Sequence, residues 1–240
     1  MGVRERHLEA PQASSRRSVP AVTSPTDEPT DEPTDQHADQ HLELVDWRHR
    51  MGAAFGLARD AAAAGEAARG HAAWRAARDE LFRSHPQSPL PVDDPLRETG
   101  LPWFDYDPTY RFSVPVRPAP QEVRPVVVGE DGTLELRRIG VVDLPDPAGA
   151  SLDVWSLAQY GGGLFVPLRD GTAGQETYGG GRYLLDTAKG AWLGGHGDEI
   201  VLDLNFAYHP SCRYDPRWQC PLAPEGNTVS ARVEAGERLS

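Results

Sequence analysis

Between residues 176 and 220 the chain concentrates side chains able to do chemistry. The segment Arg182–Thr187 reads as a strand, and period-two alternation points Arg182, Leu184 and Asp186 the same way. In the second segment, Ile200–Tyr208, Asp203 and Asn205 point opposite to Leu202, Leu204, Phe206 and Tyr208. If the two segments pair as a hairpin through Lys189–Asp198, one face collects Arg182, Asp186, Asp203 and Asn205, with Glu176 and Tyr178 at its rim. Such a set suits a polar ligand pocket formed by Tyr178, Arg182, Asp203 and Asn205. It equally suits acid/base catalysis by two of the carboxylates Glu176, Asp186 and Asp203, with Arg182 holding an anion. A wet sheet face bearing ion pairs has the same pattern.

Further along stand His209, Cys212 and Cys220, with Asp215 close by. Zinc accepts imidazole and thiolate, but the spacing matches no paired Cys-x-x-Cys pattern. No cofactor is therefore expected, and His209, Cys212 and Cys220 are the weak candidates for a metal. The tetrapeptide Tyr160-Gly-Gly-Gly163 recurs as Tyr178-Gly-Gly-Gly181, each time before a β-type run rather than a helix. That excludes a phosphate-cradling loop and points to a bulge or a close backbone approach. Ser211 lies beside Cys212, but no Gly-x-Ser-x-Gly elbow accompanies it.

The elements that must position these residues are mainly β. Short alternating runs at Tyr110–Val116, Leu134–Val142, Leu152–Leu157 and Leu164–Leu168 precede the two strands above, each bounded by Gly, Pro or Asp. The pattern predicts an antiparallel β-sandwich or small barrel over residues 85–240, and the absence of βαβ alternation excludes a Rossmann-type sheet. Over 42–84, the spacing of Leu44, Trp47, Met51, Phe55 and Ala58, and then of Trp74, Ala77 and Leu81, predicts helices packing on that domain. Gly65 and Gly70 divide them, and His85-Pro86 ends them. The fold class is α+β, mainly β with one or two N-terminal helices. Residues 1–41, with Thr-Asp-Glu-Pro repeated at Thr26 and Thr30, bury too little to offset chain entropy and read as a disordered acidic tail.

A net charge of −12 with no basic cluster argues against a nucleic-acid partner. Lys189 is the only lysine. No apolar run approaches the roughly 18 residues of a membrane-spanning helix, and without a continuous apolar run in the first 25 residues no secretory signal is expected. A soluble cytoplasmic protein is expected, with its two cysteines reduced, a small molecule as its partner and no membrane contact.

Several strings then resemble one family. They are Trp74-Arg75 through Leu81-Phe82, His85-Pro-Gln-Ser-Pro-Leu90, Tyr106-Asp-Pro108, Glu176-Thr-Tyr-Gly-Gly-Gly-Arg-Tyr183, Asp203-Leu-Asn-Phe-Ala-Tyr208, Pro210-Ser-Cys212 and Cys220-Pro-Leu-Ala-Pro224. Together they are similar to the bacterial domain-of-unknown-function family numbered 1684, over about Trp47 to Arg238. The resemblance implies a shared domain without an assigned activity, substrate or cofactor. His209 departs from it, at a position the family often fills with Asn. Three readings stay open: a small-ligand binding domain with a polar pocket, a hydrolase-like enzyme, and an interaction or structural module.

Overall fold

The computed structural model describes residues 35–128, 132–158 and 160–240. Of the expected tail, residues 1–34 lie outside the described residues, and 35–41 are helical instead. Helix α1 (Asp35–Ala63) and helix α2 (Ala67–Ser84) pack on each other through a connection centred on Gly65. Gly70 does not help divide them: it lies inside α2, where a Cβ would come 2.9 Å from Ala61 Cβ and 3.0 Å from the Ala58 carbonyl. The glycine there permits the close crossing of the pair. Helix α2 stops at His85, whose extended backbone (φ −74°, ψ 139°) is the geometry imposed by the following Pro86.

A short helix α3 (Leu96–Thr99) leads into eight strands: β1 (Arg111–Pro115), β2 (Val123–Val127), β3 (Thr133–Leu144), β4 (Ala150–Leu157), β5 (Leu164–Leu168), β6 (Arg182–Asp186), β7 (Gly195–His196) and β8 (Glu199–Asp203). They form two antiparallel sheets, a five-stranded meander β2-β3-β4-β5-β6 and a three-stranded sheet β1-β8-β7. The fold is α+β, as the alternation predicts. Strand β2 escapes the alternation because Pro125 interrupts it. As an edge strand pairing only with β3, it tolerates the missing donor. The last predicted strand is shorter than expected: after Asp203 the chain turns into a 3₁₀ helix, Leu204–Phe206, because the Asp203 carboxylate accepts the Asn205 N–H and caps the turn.

Inward faces of both sheets share one core. It includes Phe112 and Val114 of β1, Val142 of β3, Leu152 and Val154 of β4, Val166 and Leu168 of β5, and Ile200 and Leu202 of β8. Val233 and Ala235 of the C-terminal segment fill the same core, each 0% exposed. The helical pair builds a second core on the body, in which Met51, Phe55, Trp74, Leu81 and Phe82 meet Trp103, Leu193 and Phe206.

His71 sits inside that aromatic cluster, with ring neighbours Trp74, Trp103, Tyr106 and Phe206. Its Nε2 donates to the Asn205 carbonyl at 2.8 Å. Burial, helped by Arg75 and opposed by that carbonyl, pushes its pKa down to about 4. Because the folded value lies below the unfolded one, about 6.5, the unfolded chain takes up the proton first as pH falls. The neutral ring's contribution is complete above pH 6.5 and is lost toward pH 4, a loss of about 3 kcal/mol. His71→Phe keeps the ring and cannot titrate. Urea unfolding of the two proteins at pH 7 and pH 4 should show wild type losing about 3 kcal/mol more than the variant. Equal losses would contradict the assignment.

Candidate functional site

The predicted hairpin does not form. Strand β6 pairs with β5 in the large sheet, β8 pairs with β1 and β7 in the small one, and a single bridge, Tyr183 to Tyr208, joins the two neighbourhoods. The reason lies in the segment assumed to be its loop. It turns back at Thr187–Lys189 so that Ala191 bridges Asp186, and it then supplies β7 as a neighbour for β8.

The polar residues consequently separate. Arg182 is 0% exposed, and its guanidinium donates to the Asp170 carboxylate at 3.0 Å and to the carbonyls of Val233, Ala235 and Glu237. It rivets the C-terminal segment to the core. Asp203 accepts from Arg111 at 3.0 Å and from the Asn205 amide at 2.8 Å. Asn205 in turn exchanges hydrogen bonds with the Asp107 backbone. Glu176 is exposed and paired with Arg232. Asp186 is buried, with Lys189 3.8 Å away.

Burial raises the carboxyl of Asp203 against the pull of Asn205 and Arg111. Burial likewise raises that of Asp186 against Lys189 and Arg48. Each of the three carboxylates therefore has its own partners, and the pair that acid/base work requires is not assembled.

His209 is committed on both sides of its ring. Nε2 accepts the Tyr178 N–H at 3.1 Å, which leaves the ring proton on Nδ1, facing Glu237 Oε1 at 3.5 Å. Glu237 also takes Arg78 at 3.1 Å and the His209 N–H at 2.9 Å. Burial works to raise the Glu237 carboxyl, but Arg78 and His209 outweigh it and hold it below the usual range. With both nitrogens engaged, His209 has no lone pair for a metal. Among the described residues no three His, Cys, Asp or Glu side chains converge as an ion would require.

A cleft does open nearby, on the seam between α1 and the loop following the β strands. Its volume is about 220 Å³. Helix α1 supplies Leu44, Trp47 and Arg48, and the body supplies Lys189, Ser211, Trp218 and Cys220. A narrow recess sharing Trp47, Lys189 and Ser211 runs toward Tyr183, Tyr208 and Arg78. The seam is held close by small residues, since a Cβ on Gly190 would come 2.8 Å from Gly52 Cα of α1.

Of the cations around the cleft, Arg78 is neutralised by Glu237 and Lys189 leans toward Asp186, whereas Arg48 is exposed and has no hydrogen-bond or ion-pair partner among the described residues. On the same helix Asp46 is taken by His85 at 3.2 Å and Arg50 at 3.7 Å, and the carboxylate on which Arg48 acts is the buried Asp186, already shared with Lys189. The sequence carries no signal for Arg48, whereas Trp47 packs against Phe82 and His85 at the edge of the aromatic core, as its helical spacing predicts, and also lines the cleft. The one signal available was Lys189, solitary in the composition and central in the cleft.

A model of a protein family of unknown function, DUF1684, matches residues 98–238. Among solved structures, the solution NMR structure of an uncharacterized protein of Haloarcula marismortui is 37% identical, aligning with 69% of this chain and 90% of that one, at a TM-score of 0.50. No curated protein matches the chain. The matched family segment contains Lys189, Ser211, Trp218 and Cys220, whereas Trp47 and Arg48 precede it.

Arg182→Ala should cost about 3–5 kcal/mol, because it leaves the buried Asp170 charge without its cation. Urea unfolding measures this. A loss under about 1 kcal/mol would mean that the C-terminal segment is held by other contacts.

Proposed function

Because the chain belongs to the DUF1684 family, whose description assigns no activity, we propose its function from the cleft: it binds a small organic anion between Arg48 and Lys189. The observation that carries this is the exposed Arg48 guanidinium on the cleft wall, which makes no hydrogen bond or ion pair among the described residues and, with Lys189, acts only at longer range on the buried Asp186. Carboxylate or phosphate oxygens would accept charge-assisted hydrogen bonds from Arg48 and Lys189, while Trp47, Leu44 and Trp218 cover the apolar part of the ligand. The volume is below the ~300–1,000 Å³ of drug-sized pockets, which suits a metabolite-sized acid.

The same reading keeps nucleic acid out of the partner set, supported by the net charge of −12. It places the protein in a reducing, cytoplasmic setting, supported by two unpaired cysteines. Among the described residues no helix is long and apolar enough to cross a membrane.

The experiment is native mass spectrometry of freshly purified protein, followed by thermal unfolding with a panel of small carboxylates and phosphate esters. An excess mass of one organic acid, or a raised midpoint with one class of the panel, is expected. Arg48→Ala should weaken that ligand about 10- to 100-fold and change the ligand-free midpoint little, since the exposed Arg48 makes no hydrogen bond or ion pair among the described residues and attracts Asp186 only at longer range. No excess mass and no shift with any acid would overturn the proposal, as would a shift that Arg48→Ala leaves intact.

A further inference from the structure

Two thiols that anion binding does not use meet at the cleft wall. Cys212 lies in the single-turn 3₁₀ helix Ser211–Arg213, and Cys220 follows the turn that carries Trp218. The Cys212 backbone N–H donates to Cys220 Sγ at 3.4 Å. The Tyr178 hydroxyl lies 4.0 Å from Cys212 Sγ. Both cysteines are free and half-buried, and Cys220 opens into the cleft.

We propose that Cys212 and Cys220 are a redox-active dithiol, in which the Cys220 sulfur reacts first, attacking a hydroperoxide, and Cys212 resolves the product to an intramolecular disulfide.

In the first step the Cys220 sulfur attacks the terminal peroxide oxygen and displaces the alkoxide, or hydroxide from hydrogen peroxide. The O–O bond breaks, an S–O bond forms, and with one proton from solvent the products are Cys220 sulfenic acid and an alcohol, or water from hydrogen peroxide. In the second step the Cys212 sulfur attacks the Cys220 sulfur. The S–O bond breaks as the S–S bond forms, and the hydroxyl leaves as water with the Cys212 proton. The dithiol loses two electrons and the peroxide gains them. Because Cys220 Sγ already touches the backbone of Cys212, closure calls for side-chain rotation rather than backbone movement.

The surroundings divide the roles. The Cys212 thiol donates to Cys220 and holds its pKa down to about 6. Burial opposes this, and the Cys212 N–H, the Lys189 ammonium and the Tyr183 hydroxyl assist. The same hydrogen bond raises Cys212, keeping it protonated as the resolving partner. Tyr178, itself raised by burial and by Cys212, stays a neutral phenol, and Arg213 is the further cation that acts on it. The thiolate is thus on the residue that faces the cleft, where a small peroxide enters.

The test uses the full-length protein. Alkylation by iodoacetamide, followed by intact mass across pH 4.5–9, should show one fast thiol with a midpoint near 6. At pH 6 that thiol should react about 20-fold faster than an ordinary thiol, after allowing for its lower intrinsic nucleophilicity. Hydrogen peroxide should remove about 2 Da from the wild type, and dithiothreitol should restore it. Cys220→Ser should lose the fast alkylation, and Cys212→Ser should gain about 16 or 32 Da with peroxide instead of losing 2. Ordinary alkylation of both cysteines with midpoints above 8, or independent oxygen additions in the wild type, would overturn the proposal. The wild-type measurements decide the matter even if a variant fails to fold. They do not depend on the anion site, which Arg48→Ala tests separately.

Discussion

Burying a guanidinium removes it from water at a cost of several kcal/mol unless every side of it is met by charge or hydrogen bonds, and that constraint organises this domain around Arg182. The side chain sits at the start of β6 with no exposure, and its partners are spread over two distant stretches of chain. Asp170 supplies the charge, and three carbonyls at 233, 235 and 237 accept from the two terminal nitrogens, which leaves only Nε without a partner among the described residues. The Asp170 carboxylate in turn accepts the Val233 N–H at 2.8 Å, so the C-terminal segment is held from both ends of one ion pair. Because that segment is fixed, Val233 and Ala235 can close the core between the two sheets. Glu237 is then delivered to Arg78 of α2 and to His209.

The second buried pair, Arg78 with Glu237, extends the same logic to the helices. It couples α2 to the C-terminal segment at a point where the aromatic core of Trp74, Trp103 and Phe206 provides the apolar burial. The helical pair is therefore docked by a mixture of apolar area and one buried charge pair, and α1 reaches the body over the Gly190 turn. The cleft is what this docking leaves open. Its floor is aromatic because Trp47, Tyr183 and Tyr208 converge there, and its rim carries Arg48, Lys189 and the Cys220 thiol, each from a different part of the chain.

Individual residues show why the site was only partly legible. Tyr178, Asp203 and Asn205 were singled out as polar groups alternating into a β domain, and the alternation itself is real. What alternation cannot report is the partner. Asp203 faces Arg111 because β8 pairs with β1, ninety residues upstream in sequence, rather than with β6. A strand's own period says which residues share a face, but nothing local says which strand lies beside it. Trp47 packs on the core as its spacing predicts, but a helical stripe has one spacing whether or not its edge also lines a cleft, so neither that role nor Arg48 beside it was legible.

By itself the sequence determined the class of the fold and where most of its longer elements lie, β2 with its Pro125 excepted, because hydrophobic period, Pro86 after His85 and the Gly-rich turns act within a few residues of themselves. It also determined the family, through strings that need no structure to compare. Only the tertiary structure decided that Arg182 is an anchor, that Glu176, Asp186 and Asp203 stay apart, and that Arg48, Lys189 and Cys220 share one cleft. Those outcomes depend on strand pairing and helix docking between segments far apart in sequence, and the free energy that selects them comes from burial and charge compensation across the whole domain.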